Sequence, residues 1–580
     1  MSRARPLPRL ARGLPWPARA ILGIAALALG LFLIGRPLDS LDVLTLYLAA
    51  SFVVLGVTQV SRGDRDAVDL VIGAAWLALG LVVLLSPGHA ITALPTVIGI
   101  SLLVAGALKL WRVRSGSLDT RLSSLLLGLT QIALGALALS WEDVTLVIAA
   151  ALFGVMLIVS GASFAAEAIL HRDRDRTEAA RERGVVRRWG RVLGSAVALL
   201  VSIALLVVSG ALRDGTPHVD EFYATPDDVP SSPGELLRYE DFKAEIPDRA
   251  KAWRILYTTT DALGKPTVAS GIVMVPNSPA DDPRPVIAWA HGTTGYARQC
   301  APSLLSEPFT AGAFPAVMGQ VVDNGWAVVA TDYAGLGTEG YQPYIIGRGE
   351  AYSVLDTVRA ARQLTDADLA SDKSGVWGHS QGGGAALWTS QEQPSYAPDV
   401  PLLGTVAMAP AADPLALARN LDNVTGGSVF GSFVARAYAD TYPDLELSDF
   451  IRPAALPFVD KLASRCLTEP GVLASVLTSL SLKDQQILSG DPGVGTLGKH
   501  LRDNIPRAPG PGPLIIAQGE ADTLVASHVI ERYVTRLRAD GHQVELTTYP
   551  DLGHLDLVQQ GSALLPELLQ WTEDRLASAG

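Results

Sequence analysis

Seven apolar runs occupy the chain before Leu212, and no other feature limits its fold as tightly. Residues 21 to 60, 69 to 110 and 122 to 170 each hold two runs, parted by the short breaks Arg36-Pro37, Ser86-Pro87-Gly88 and Trp141-Glu142-Asp143; the seventh extends from Val192 to Leu212. Stretches of roughly 20 residues with almost no charge have the length of a bilayer crossing. Hydrocarbon offers no partner to a backbone N–H or C=O, so each run is predicted to be a helix that satisfies its own main chain. The first reads as a membrane helix rather than a cleavable leader, because another apolar run follows it and no small-residue cleavage site does.

The three two-run blocks repeat one another. Gly23, Gly30 and Gly56 recur as Gly73, Gly80 and Gly106, and again as Gly128, Gly135 and Gly161, with the same spacing each time. Small residues at fixed places let helix backbones approach closely, so these glycines are expected as packing contacts within three helix hairpins. Over residues 20 to 170 this pattern of hydropathy and repeat resembles the HdeD-like (DUF308) family of small bacterial membrane proteins. Orientation follows from the basic residues. Arg3, Arg5, Arg9, Arg12 and Arg19 precede the first helix, Arg62 and Arg65 the third, Lys109, Arg112, Arg114 and Arg121 the fifth, and a dense cluster from Arg172 to Arg191 the seventh. The alternate breaks carry Arg36 against Asp39, Asp42, Glu142 and Asp143. The bias toward basic residues on the cytoplasmic side predicts a multi-pass cell-membrane protein with its N-terminus inside and everything after Leu212 outside. No ionisable residue falls near the middle of a run; Gln59, Gln131 and Glu167 lie toward ends or carry no charge. An anchor or scaffold is therefore expected in preference to a transporter.

At 580 residues the chain requires more than one domain. The expected division is a membrane domain over 1–212, a linker over 213–234 rich in proline (Pro217, Pro226, Pro230, Pro233), and a globular domain over 235–580. About twenty flexible residues span only about 25 Å, which keeps the last domain near the bilayer. The net charge is −12 and the basic residues form no patch with interleaved aromatics, so no nucleic-acid partner is expected.

Past the linker the hydropathy changes period. Residues 252–260, 268–276, 285–290, 326–331, 403–408, 514–518 and 544–549 read as strands, and 349–363 and 385–393 as helices among them. Strands alternating with helices predict an α/β fold with a mostly parallel sheet covered on both faces, whose site lies beyond the carboxyl ends of the strands. One junction is specific. Gly378-His379-Ser380-Gln381-Gly382 ends an apolar strand and opens a helix, the order that a nucleophile elbow requires, with glycines where side chains would collide with the neighbouring strand and helix. Ser380 is the candidate nucleophile. A serine hydroxyl needs a base, and the base needs a group that fixes its tautomer. In this fold acid and base follow the serine in that order, and Asp522 and His554 each sit a few residues beyond a strand. Glu520 competes as the acid but lies nearer its strand, Asp556 reads as a helix start, and Asp332 precedes the serine. His500, His528 and His542 fall in helical or loop settings expected at the surface, and His379 reads as scaffold. The oxyanion hole needs backbone N–H donors: Gln381, just after the nucleophile, and Thr293 or Thr294 in the loop after Ala290 are the candidates.

The ordered set HGTTG at 291, DYAGLGTEG at 332, PYIIGRGEAYSVLDTVRAAR at 343, GHSQGG at 378, GEAD at 519 and GH at 553 resembles the secretory lipase family, the lipase-A type of α/β hydrolases, over roughly Asp220 to Leu576. The resemblance implies an esterase or triacylglycerol lipase acting on lipid or other ester substrates through a Ser-Asp-His triad. It also implies a cap inserted before the acid, for which the interval 420–512 is available. Fusion to a seven-helix anchor departs from the secreted form usual in that family. Acyl transfer to another lipid alcohol, and a scaffold whose hydrolase domain is inactive, remain open beside hydrolysis. Cys300 and Cys466 are the two cysteines; an even pair in an oxidising compartment points to a disulfide worth about 4 to 5 kcal/mol in the chain-entropy model, with two free thiols as the alternative. No His, Cys and carboxylate group has metal-site spacing, so neither a metal nor another cofactor is expected.

Overall fold

Seven helices begin the computed structural model, which describes residues 15–61, 67–114, 117–169, 184–214, 216–309, 314–482 and 485–578. They are α1 (Trp16–Leu33), α2 (Pro37–Val60), α3 (Ala67–Leu85), α4 (Pro87–Trp111), α5 (Leu118–Ser140), α6 (Glu142–Ile169) and α7 (Gly184–Asp214). Among the described residues six are long and apolar enough to cross a membrane, and in α3 the apolar stretch is shorter, Asp69–Leu85. The prolines at the starts of α2 and α4 stand where a helix has no use for an N–H. Of the basic residues used for orientation, Arg3, Arg5, Arg9, Arg12, Arg62, Arg65 and those from 172 to 183 lie outside the described residues.

The repeated glycines line close helix seams, and the seams join one repeat to the next. A Cβ on Gly23 of α1 would meet the Ala165 nitrogen of α6 at 2.5 Å, and one on Gly161 of α6 would meet the Leu27 nitrogen at 2.5 Å. Gly56 and Gly73 play the same part between α2 and α3, as do Gly106 and Gly128 between α4 and α5. The extensive pairings are thus α1 with α6, α2 with α3 and α4 with α5, whereas the two helices of one repeat touch little. The second helices of the repeats, α2, α4 and α6, contact one another in the middle, and α7 packs on α5. There Trp141 donates from its indole nitrogen to the Ser209 hydroxyl at 2.6 Å and Arg213 donates to the Ser140 carbonyl at 2.9 Å.

The second unit is built on a nine-stranded sheet in the order β1-β2-β3-β5-β4-β6-β7-β8-β9. Its strands are β1 (Leu236–Asp241), β2 (Ala250–Thr260), β3 (Pro266–Pro276), β4 (Arg284–Ala290), β5 (Ala327–Thr331), β6 (Leu369–His379), β7 (Leu402–Met408), β8 (Leu514–Gly519) and β9 (Glu545–Tyr549). The first four in this order pair antiparallel, and from β5 to β9 all pairs are parallel. The helices are α8 (Phe314–Asp323), α9 (Gly347–Ala361), α10 (Gln381–Tyr396), α11 (Pro414–Asn420), α12 (Gly427–Thr441), α13 (Leu447–Phe450), α14 (Leu456–Ala463), α15 (Val472–Ser481), α16 (Gly495–Asp503), α17 (Ser527–Ala539) and α18 (Leu564–Ser578). Successive residues of a strand point to opposite faces. On β6, Trp377 accordingly packs among Trp289, Phe314 and Leu568 from the α8 and α18 side, and Val376 among Val354, Val358 and Ala385 from the α9 and α10 side. The burial of both faces keeps β6 in a fixed register, and its carboxyl end is where the chemistry gathers. From residue 216 onward the expected linker lies against this unit, with Tyr223 fully buried and Arg254 stacked over Phe222 and Tyr223.

Candidate active site

β6 ends at His379, α10 starts at Gln381, and Ser380 between them adopts φ 59° and ψ −118°. Positive φ is costly for a residue with a Cβ, so the turn persists only because the packing around it leaves no alternative. The flanking glycines show how tight that packing is. A Cβ on Gly382 would stand 1.9 Å from the Ala290 carbonyl oxygen, and one on Gly378 would stand 1.9 Å from the Gly382 oxygen. Ser380 is pinned by its own N–H, which donates to the Met408 carbonyl at 2.9 Å, and by Ala411 N, which donates to its carbonyl at 2.9 Å.

The loops after β8 and β9 bring Asp522 and His554 to this serine. His554 Nε2 is 2.8 Å from Ser380 Oγ, and His554 Nδ1 is 2.7 Å from Asp522 Oδ2. The Asp522 side chain is wholly buried; its Oδ1 accepts from the N–H groups of Leu524 (2.9 Å) and Val525 (2.8 Å), and its Oδ2 also accepts from Gln518 Nε2 at 3.2 Å. A carboxylate so fully supplied with donors is held in one orientation, the property the third member of such a triad requires. Glu520 is directed elsewhere, accepting from Thr548 Oγ1 at 3.0 Å, and Asp556 accepts from Gly553 N at 3.1 Å at a turn start. Asp332 is a buried structural carboxyl bonded by Ser270 and Ser303, and burial pushes it up to about 6.

Gln381 opens α10, so its N–H has no partner within the helix. Across from it the loop after β4 carries Thr293, whose hydroxyl shares a hydrogen bond with Tyr344 OH at 2.9 Å, and Thr294, which is buried with its hydroxyl oxygen unpartnered. His291 lies beneath, neutral because burial lowers it to about 4, its ring against Tyr333. Cys300 and Cys466 are disulfide-bonded with Cα atoms 5.3 Å apart. Beside them Leu467 N donates to the Thr294 carbonyl at 2.7 Å, so the inserted segment is stitched to the loop carrying the candidate oxyanion donors. Above Ser380 and His554 opens a cavity of about 1150 Å³, walled by Thr293, Leu305, Phe430, Leu467, Leu524 and Leu555 among others. Its wall mixes these apolar side chains with polar ones, among them Glu307, Asn423 and Thr468, and the apolar part suits an acyl chain.

Three buried side chains, two at the site and one away from it, carry more than the sequence disclosed. His379 is buried and lowered to about 3, chiefly by burial and then by the neighbouring His554; its Nε2 lies 3.1 Å from the His554 carbonyl, bracing the loop of the candidate base. Glu350 of α9 is buried behind the elbow, where its Oε1 accepts from Gln381 Nε2 at 2.8 Å and Ile345 N at 3.0 Å. An acid on the apolar face of an otherwise regular helix was the available signal. His500, expected at the surface, is buried: its ring stacks on Tyr442 at 3.8 Å and Nε2 meets Asp444 at 2.9 Å.

Parts of this chain are similar to known proteins. Residues 309–579 match the secretory lipase family, and residues 21–66, 71–132 and 126–207 match a short repeat of unknown function, DUF308. A Mycobacterium tuberculosis protein named as a probable inactive lipase is 27% identical over 403 residues, 63% of this chain and 84% of that protein. Lipase 5 of Candida albicans is 25% identical over 412 residues, 65% of this chain and 84% of its own length. The X-ray structure of Candida antarctica lipase A, 19% identical, has the same fold, with a TM-score of 0.54 over 63% of this chain and 87% of that one. The chain thus carries matches to DUF308 repeats within residues 21–207 and to the secretory lipase family over residues 309–579, the latter within a unit of α/β-hydrolase fold.

Proposed function

We propose that this protein is a membrane-anchored serine esterase that hydrolyses carboxylic esters of lipid or acylglycerol type on the outer side of the cell membrane. The observation that carries the reading is the continuous hydrogen-bonded series Ser380–His554–Asp522 at the floor of the cavity. His554 Nε2 takes the Ser380 proton as Oγ attacks the acyl carbon, and Asp522 stabilises the resulting imidazolium. The N–H of Gln381 and one from the loop of Thr293 and Thr294 receive the charge that develops on the carbonyl oxygen. The protonated His554 then gives its proton to the departing alcohol, and water activated by the same imidazole releases the acid from Ser380. The outer placement is supported by the distribution of basic residues and, independently, by the disulfide, since such bonds persist in oxidising compartments.

A second reading has one observation in its favour: a relative is named an inactive lipase, so the domain can serve as a membrane-held scaffold without turnover. Reaction of the full-length protein with a fluorophosphonate probe separates the two. Esterase function requires labelling that disappears in Ser380→Ala, with parallel loss of ester hydrolysis in lipid vesicles. An unlabelled native protein, folded and in membranes, sinks the enzyme reading and leaves the scaffold.

A further inference from the structure

The segments Arg452–Lys461 and Val476–Gln486 lie in sequence within the insertion before β8, yet they belong to the membrane unit. They cover the N-terminal ends of all three inner helices. Arg452 bridges Asp39 and Asp42 of α2 at 2.9 and 2.8 Å, and Gln485 accepts from the backbone N–H of Leu38 at 2.9 Å. Thr478 donates to Asp143 of α6 at 2.8 Å, and Lys461 pairs with Glu142 at 3.2 Å. At the head of α4, Leu456 packs over Gly88. The first N–H groups of a helix have no partner inside it, and Gln485 provides one for Leu38.

α15 is central to this docking. Its part in the membrane unit, from Val476 onward, buries Thr478 and Ser479, and Thr478 reaches Asp143. Val476, Leu477 and Leu480 point the other way and are 46, 66 and 53% exposed. Positions separated by three and four residues form one stripe on a helix, and α15 carries no charged residue to interrupt it. A bare apolar stripe of this kind marks an interaction surface. What lies beside it is indicated by its opposite face, which is fixed to the heads of bilayer-length helices. A helix that is polar toward such a support and apolar away from it belongs at the boundary between headgroups and acyl chains.

We propose that α15 is seated in the bilayer, with Val476, Leu477 and Leu480 among the acyl chains of the leaflet that adjoins the heads of α2, α4 and α6. The membrane repeats then do more than tether: they hold a piece of the lipase insertion in the lipid. This seating does not depend on ester hydrolysis. Because both cysteines of the chain are disulfide-bonded, single-cysteine variants can be labelled cleanly. Leu477→Cys and Leu480→Cys in the full chain, carrying an environment-sensitive fluorophore, are placed in phospholipid nanodiscs, with Leu263→Cys in the exposed β2–β3 turn as the aqueous control. A fluorophore about 5 to 10 Å below the headgroups loses about half its emission to a nitroxide attached high on the lipid chain, and little to iodide in the buffer. The control is expected to behave in the opposite way. Iodide quenching at 477 and 480 without nitroxide quenching overturns the proposal, and so does shielding from both, which means that another protein chain covers the stripe.

Discussion

Replacing Glu350 by glutamine is predicted to change how the stability of the hydrolase unit responds to pH. Burial pushes the Glu350 carboxyl up from 4.5 to about 8, against the opposing pull of the hydrogen bonds from Gln381 and Ile345. Between those limits the folded chain binds a proton that the unfolded chain has released, so stability falls as pH rises. Each pH step costs about 1.4 kcal/mol, and the whole interval about 5 kcal/mol. Below pH 4.5 the penalty is absent, and above pH 8 it is complete. Glutamine has the same shape and no proton to lose, and its amide can donate to Gln381 Oε1, which is buried without a partner. Urea unfolding of both proteins in detergent, followed by the fluorescence of buried Trp377 and Trp388, gives the stability difference at each pH. Buried Asp332 and Asp356, both raised to about 6 chiefly by burial, are common to the two proteins and cancel in that difference. The advantage of Glu350→Gln is expected to grow steadily from pH 5 to pH 8. A difference that stays constant to within about 1 kcal/mol across that range refutes the reasoning. On the esterase reading there is a kinetic counterpart: ionised Glu350 behind Gln381 opposes the charge on the oxyanion, so activity declines above pH 8 in the native enzyme and not in the variant.

Asp522→Asn keeps the packing but lets His554 take the wrong tautomer, and kcat is expected to fall by about 10⁴-fold with little change in KM, measured on a vesicle-borne ester. Cys466→Ser opens a loop of sequence separation 166 and is predicted to lower stability by about 5 kcal/mol, read from the urea midpoint; an unchanged midpoint would dismiss the disulfide as a stabilising link. Gly161→Leu forces a side chain into the backbone of α1, whereas Gly194→Leu enters open space. Only the first is expected to lower the thermal stability of the membrane unit in detergent, and equal behaviour of the two would contradict the seam.

Strands such as β4 and β5 were legible because burial on both faces writes them as nearly unbroken apolar runs. β1 was not: Leu-Leu-Arg-Tyr-Glu-Asp is a half-exposed edge strand, and nothing in those six residues distinguishes it from the linker. The positions of Ser380, Asp522 and His554 followed from strand ends and chain order, since the fold delivers all carboxyl ends to one edge of the sheet. What remained hidden depends on partners far away in sequence. The burial of His500 is set by Tyr442, and the place of Arg452 by Asp39 and Asp42. The glycine spacing likewise indicated which residues approach a neighbour, but not that the neighbour belongs to the next repeat.

That last arrangement bears on how the protein is made. α1 precedes its match α6 in the chain, so on the membrane reading Gly23 and Gly30 stay without their seam until the third repeat is synthesised and inserted. Closure is then a late event that adds the last of the three seams, and truncation after the second repeat leaves α1 and α4 each without a mate. The heads of α2, α4 and α6 come together in the same step, so the platform that receives α15 exists only once the ring has closed.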